Sequence, residues 1–198
     1  MTEMDSRSRI LDAALDEFAA VGFAGARVDT IARLAGCNKQ LLYHYFKDKS
    51  GLYEAVIERA MSSRPPIDYS SREPMVDQCT RVFEELMPKR RRWLRLLMWE
   101  ALSIEDRELP AEKVRKEHAQ QNIDDVRKAQ QRGVLTSEFE ACYIILAMMS
   151  MCMFVFAFPQ IVRVVTGRSV ADPEFRRNYL QVIQRLVRSF LKDPAGAA

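Results

Sequence analysis

Long runs without glycine or proline dominate this chain: seven glycines and eight prolines are spread over 198 residues. Within those runs apolar residues return at intervals of three and four, the spacing that lines one face of a helix and cannot line one face of a strand. An all-α chain is expected. Asp5 or Ser6 caps a first helix whose stripe of Ile10, Leu11, Ala14, Leu15 and Phe18 stops at Gly22. A second runs from about Val28 to Ala35, with Ile31, Ala32 and Ala35 inward, and Gly36 breaks it. Asn38 is a good N-cap for a short third helix reaching about Tyr45, and Asp48 or Lys49 opens a fourth carrying Leu52, Tyr53, Val56, Ile57 and Met61.

The Ser-, Pro- and Arg-rich stretch 62–74 reads as a linker, dividing an N-terminal domain, 1–61, from a second helical domain, 75–198. Helices are expected in the latter at about 75–87, 90–105, 110–132, 137–158 and 173–191, with Gly133 breaking between two of them and Pro159 kinking or ending another. Residues 141–158 carry no charge and are just long enough to be weighed as a membrane span. Ser150, two cysteines, Tyr143 and the terminal Pro159 favour a helix buried in protein instead.

Composition excludes more than it indicates. A net charge of +3 does not announce a nucleic-acid binder, and residues 1–60 nearly balance, so a DNA role must rest on where the charges sit. Cys37, Cys79, Cys142 and Cys152 are far apart, with no C-x-x-C pair and no histidine cluster nearby. No zinc site, disulfide framework, metal or cofactor is expected, and reduced thiols suit a cytoplasmic protein. The N-terminus lacks the basic-then-apolar pattern of a signal peptide. With no nucleophile–base pairing, no phosphate-cradling glycine loop and only His44 and His118 as histidines, an enzyme is not expected.

Two helices joined at Gly36, the second short and polar outside, make a helix-turn-helix. The second helix must enter a groove about 12 Å wide with polar residues at its leading end. Asn38, Lys39 and Gln40 occupy that turn, while Leu42 and Phe46 point into a three-helix core. From Arg27 to Lys49 the charges are Arg27, Arg33, Lys39, Lys47 and Lys49 against Asp29 and Asp48, so this segment is locally basic.

Ile31-Ala32-x-x-Ala35-Gly36, followed by Leu42-Tyr43-x-x-Phe46-x-x-Lys49-x-x-Leu52, resembles the N-terminal signature of the TetR family of transcriptional regulators, and Ala13-Ala14 with Phe18 extends it upstream. The resemblance covers roughly residues 8–57. It implies a phosphate contact for Tyr43 and a backbone contact for Lys49. Lys39, Gln40 and His44 fall at variable, outward positions where sequence choice is expected. Tyr45 stands where many members have histidine. Arg27 replaces a common Ser or Thr, losing a cap and offering a guanidinium, and Cys37 replaces a frequent valine. Only Lys39 was evident in the sequence as a neighbour to lower the Cys37 thiol.

The resemblance further implies a homodimer, its last two long helices forming a four-helix interface, so that two recognition helices read a palindromic operator about 34–36 Å apart. It implies repression relieved by a small hydrophobic effector; the buried reading of 141–158 makes no membrane partner expected. Candidate effector contacts are Trp93, Met98, Trp99 and Glu100, His118 and Gln121 as polar groups on an inward face, and Met148, Met149, Met151 and Phe154. For the Met and aromatic residues core packing is the competing reading, and for Glu100, His118 and Gln121 it is a polar contact within the protein. Control by a protein partner or by thiol oxidation, without any small ligand, is the alternative mechanism.

Overall fold

The computed structural model describes residues 3–62, 69, 72–103 and 109–192, and they are helical throughout, with one isolated bridge between Leu135 and Leu191. The expected stripes become helices α1 (Glu3–Gly25), α2 (Val28–Leu34), α3 (Lys39–Phe46) and α4 (Lys49–Ser62). Helical dihedrals break at Gly22, as the sequence suggests, but one further turn carries the chain to Gly25. The first compact unit comprises residues up to 64 together with 92–117. Its core is Ile10, Leu11, Ala14 and Phe18 of α1, Ile31 and Ala32 of α2, Leu42 and Phe46 of α3, and Leu52, Val56 and Ile57 of α4. Helix α6 (Arg91–Ser103) adds Leu96, and its Arg92 and Arg95 are tied to Asp16 and to the Ala19 carbonyl. Two of the five cations in the basic run 89–95, Arg92 and Arg95, therefore hold α6 to α1.

The second compact unit comprises residues 65–91 and 118–198. Most of the expected linker, 63–68 with 70 and 71, lies outside the described residues. Helix α5 (Arg72–Arg81) begins earlier than its periodicity suggests and continues through a π-helical segment, Val82–Leu86, into the turn Met87–Lys89. Pro88 explains the wide turn. It has no N–H to give to the preceding ladder, and the Glu84 carbonyl instead accepts a 2.7 Å hydrogen bond from the Arg176 guanidinium. Arg176 is thus drawn inward over the Phe83 ring.

Helix α7 (Glu112–Gln131) is followed by α8 (Ala141–Ala157), α9 (Pro159–Thr166) and α10 (Pro173–Ser189). Pro159 does more than end α8: Phe158 leaves helical geometry and Pro159 starts α9 at its first position, an 84° bend away. Among the described residues no single helix is long and apolar enough to cross a membrane. Helix α8 buries one face, Ala141, Ile144, Met148, Cys152 and Val155, and exposes Tyr143, Leu146 and Phe154. Asp172 caps α10 as expected, accepting from the N–H groups of Glu174 and Phe175, which lowers its pKa. The α10 stripe splits in the same way as that of α8, with Phe175, Ile183 and Val187 buried and Val182 and Leu186 exposed.

Candidate functional site

The turn between α2 and α3 requires its glycine: Gly36 has φ of 63°, a left-handed conformation costly for any residue with a Cβ. Asn38 then caps α3, its Oδ1 accepting from the Leu41 N–H at 2.8 Å. With Leu42 and Phe46 buried below, the opposite face of α3 presents Lys39, Gln40, Tyr43 and His44 to solvent. Asn38 is exposed at the head of that face. Arg27 is exposed at the N-cap of α2 and makes no side-chain cap, while its backbone N–H donates to Glu17. Tyr45 is half-buried, its ring 5.9 Å from Phe46, and faces the core more than Tyr43 and His44 do. Lys49 is half-buried and turned back, its ammonium 3.4 Å from the Ala24 carbonyl and 4.7 Å from the Phe23 ring centre.

Two partners in this region were not legible beforehand. Asp29 on α2 holds Lys39 in an exposed 2.6 Å ion pair, which raises the lysine pKa. Arg9 of α1, not Lys39, is the cation felt by Cys37, and its effect is outweighed by burial, which pushes the thiol pKa up. The turn from α3 to α4 is tight as well. Lys47 takes a positive φ of 63°, Asp48 accepts from the Gly51 N–H at 2.8 Å, and a Cβ on Gly51 would lie 2.4 Å from the Phe46 carbonyl oxygen.

The expected effector residues fall in both compact units: Trp93, Met98, Trp99 and Glu100 in the first, and His118, Gln121, Met148, Met149, Met151 and Phe154 in the second. Around α8 each residue advances about 100°, so Met148, Met149, Met151 and Phe154 point in four different directions. Met148 is core, Met149 and Met151 are half-buried, and Phe154 is exposed on the outer face. The buried face of α7 in the second unit is Val126 and Ala129, with Ile123 beside it. Gln121, five positions before Val126, falls well off that face, and its exposed amide bonds Asp125 instead of turning inward. His118 is half-buried at the flank.

Trp93 and Met98 are half-buried on α6, and Trp93 packs against the first unit's core. Trp99 and Glu100 do line a cavity, of about 760 Å³, and it lies wholly within the first unit. Phe23 and Ala24 contribute from the end of α1, Ser50, Tyr53, Glu54 and Glu58 from α4, and residues 109–114 from the start of α7. At its edge Glu100 is 8% exposed and fully engaged. Arg115 grips both carboxylate oxygens, at 2.7 and 3.0 Å, and the Tyr53 hydroxyl donates to one of them at 3.1 Å. Burial first, then the Glu100 charge and hydrogen bond, drive the Tyr53 phenol pKa well above its ordinary range. The inward polar group at position 100 thus has protein partners. No cluster of metal-ligating side chains occurs among the described residues.

Comparison with known proteins agrees with this architecture. Residues 10–56 match the bacterial regulatory proteins of the tetR family, and residues 76–188 match the tetracyclin repressor-like C-terminal domain. The HTH-type transcriptional repressor SCO4008 of Streptomyces coelicolor is 33% identical over 92% of this chain and 94% of its own. The HTH-type transcriptional regulator RutR of Escherichia coli is 46% identical over 55 residues, 28% of this chain and 26% of its own. The structure of SCO4942 from Streptomyces coelicolor has a TM-score of 0.72 at 25% identity, covering 96% of this chain and 99% of that one. NalD, the secondary repressor of the MexAB-OprM multidrug efflux pump in Pseudomonas aeruginosa, shares the fold at a TM-score of 0.64 and 17% identity, over 96% of this chain and 98% of its own. These families and relatives are regulators of transcription, not enzymes. With one family match spanning 76–188, a second on the helix-turn-helix and a relative aligned over most of its length, the chain belongs to the TetR family of DNA-binding transcriptional regulators.

Proposed function

We propose that this chain is a cytoplasmic repressor that reads a palindromic operator as a homodimer and releases it when a small molecule binds. The observation that carries the DNA reading is the exposed polar face of α3 on a close-packed base. Asn38 spends its Oδ1 on the cap and keeps its amide N–H groups for the groove. Lys39 and Gln40 lead the helix towards base edges, with His44 one turn further on. Tyr43, 45% exposed, offers its hydroxyl to a phosphate, and Arg27 supplies a second phosphate contact from the start of α2. Lys49 reaches the backbone only by leaving Phe23, and Tyr45 makes at most an edge contact from its half-buried position.

Dimer formation is supported by the apolar faces left exposed in the second unit, Tyr143, Leu146 and Phe154 on α8 and Val182 and Leu186 on α10. Repression is supported by SCO4008, a repressor aligned along nearly the whole chain. Ligand control is supported by the cavity beside α4, the helix that follows α3 across the tight Lys47–Asp48 turn. The test is selection of bound duplexes from a random pool by the native chain and by a variant with Arg27, Lys39 and Tyr43 replaced by alanine. Enrichment of a two-fold symmetric site by the native chain alone is the expected result. A folded dimer that enriches nothing would defeat the reading.

A further inference from the structure

We propose that the cavity beside α4 takes an amphipathic organic cation, an aromatic or aryl-substituted body carrying a permanent positive charge. The proposal rests on the reading of the chain as a ligand-controlled regulator and names the class of ligand. Size permits it: about 760 Å³ lies within the usual range for small-molecule sites, roughly 300–1,000 Å³. Its apolar surface sets two aromatic rings, Trp99 and Phe23, still 37% and 39% exposed, beside Leu109, Pro110, Ala111 and Val114. One face of the Phe23 ring is taken by the Lys49 ammonium, 4.7 Å from its centre, so a ligand cation would have to displace that ammonium or stack on Trp99.

Charge decides the class. Glu54, Glu58, Glu100 and Glu112 all line the cavity, against Lys113 as the single lysine or arginine among its described lining residues, with the Lys49 ammonium beside it on the Phe23 ring. Glu100 is committed to Arg115 and Tyr53, and Glu112 pairs with Lys116. Glu54 and Glu58 stand one turn apart on one face of α4, and among the described residues neither has a hydrogen-bond or ion-pair partner. An anion of the same shape meets two uncompensated carboxylates, a neutral molecule gains only the hydrogen bonds it can donate to them, and a cation gains from the charge of both. The same helix carries Tyr53, so a ligand wedged here bears directly on the bond between Tyr53 and Glu100.

The chain has two tryptophans, so Trp93→Phe leaves Trp99 as the sole indole reporter. The full-length variant is titrated, without DNA, with tetraphenylphosphonium and with tetraphenylborate, two ions alike in size and apolarity and opposite in charge. Expected is saturable quenching by the phosphonium, roughly tenfold tighter than by the borate, and a roughly fivefold loss of phosphonium affinity in Glu54→Gln/Glu58→Gln. Both glutamates are exposed, so that double variant keeps its core. Calorimetry of the unsubstituted chain with the same two ions gives the comparison independently of Trp93. Equal affinities for the two ions, or a double variant that binds the phosphonium as the native chain does, would overturn the assignment. Because no DNA is present, failure here is distinct from failure to select an operator.

Discussion

The two compact units close their interiors by different means. In the first, a buried carboxylate is held by a bidentate guanidinium and a phenol, joining α4, α6 and α7 through Tyr53, Glu100 and Arg115. In the second, the interior is aromatic rings and sulfur: Phe83 lies 5.5 Å from Phe156 and 5.6 Å from Tyr179, around Met148, Cys79 and Cys152. Among the described residues Glu100 is the only charged side chain classed as buried. A hydrogen-bonded charge network accepts one geometry, whereas a thioether and aromatic core accepts many combinations of similar volume. The first unit should therefore be brittle to single polar changes and the second tolerant of apolar exchange.

The largest expected effect tests that contrast directly. Glu100→Ala strands Arg115, 16% exposed, and should cost about 3–5 kcal/mol in urea unfolding. Replacing both members by methionine should restore most of the loss, since the pair removed together leaves no orphan charge. In the second unit Met148→Leu should cost less than about 1.5 kcal/mol. If Glu100→Ala and Met148→Leu prove equally mild, the network is ornamental and the contrast fails.

The same contrast governs what could be read in the sequence. The helix-turn-helix was legible because each of its demands names a residue type: Gly36 for a positive φ, Asn38 for a cap, Leu42 and Phe46 at helical spacing for the core. The break at Gly22 was equally plain, but its second purpose was not. A Cβ there would stand 3.1 Å from the Trp99 ring, a contact made across 77 residues of chain. The effector candidates on α8 are less constrained by the sequence for a related reason. A cluster of Met and Phe within one helix looks like a pocket in the sequence, yet one helix spreads it around its whole circumference. What locates the cavity is the meeting of α1, α4, α6 and the start of α7, which lie far apart in the chain. Asp29 and Arg9 escaped notice because their targets, Lys39 and Cys37, lie on other helices.

Alkaline unfolding should separate the units by chemistry at intermediate size. Burial pushes the Cys79 thiol up to about 12 and the Cys152 thiol up to about 11, against an ordinary value of 9.0. Their folded pKa values are raised, so the unfolded chain gives up these protons first. The stability they contribute is complete below about pH 9 and is lost as the pH climbs towards 11–12. Tyr53 acts in the same direction in the first unit, but from its ordinary value of 10.0, so its loss begins later. Urea midpoints measured from pH 8 to 11 should fall first through the thiols, and Cys79→Ala with Cys152→Ala should flatten that early part of the curve. An unchanged slope in the double variant would place the alkaline weakness elsewhere.

The smallest effect concerns the tip of α3, where stability and function part company. The Lys39–Asp29 pair is exposed on both sides, 48% and 71%, and such pairs add little to folding. Its consequence should be seen on DNA. If Lys39 meets a phosphate, Lys39→Ala should lower the slope of log affinity against log salt by about 0.9 for each subunit, without changing sequence preference. If it meets a base edge, the preference at one position should relax and the slope should hardly move. Asp29→Asn frees the lysine from a competing partner, so binding should tighten within about tenfold and its salt dependence should steepen. Weaker binding by Asp29→Asn would mean the opposite: the carboxylate aims the ammonium, and an aimed cation is worth more at the groove than a free one.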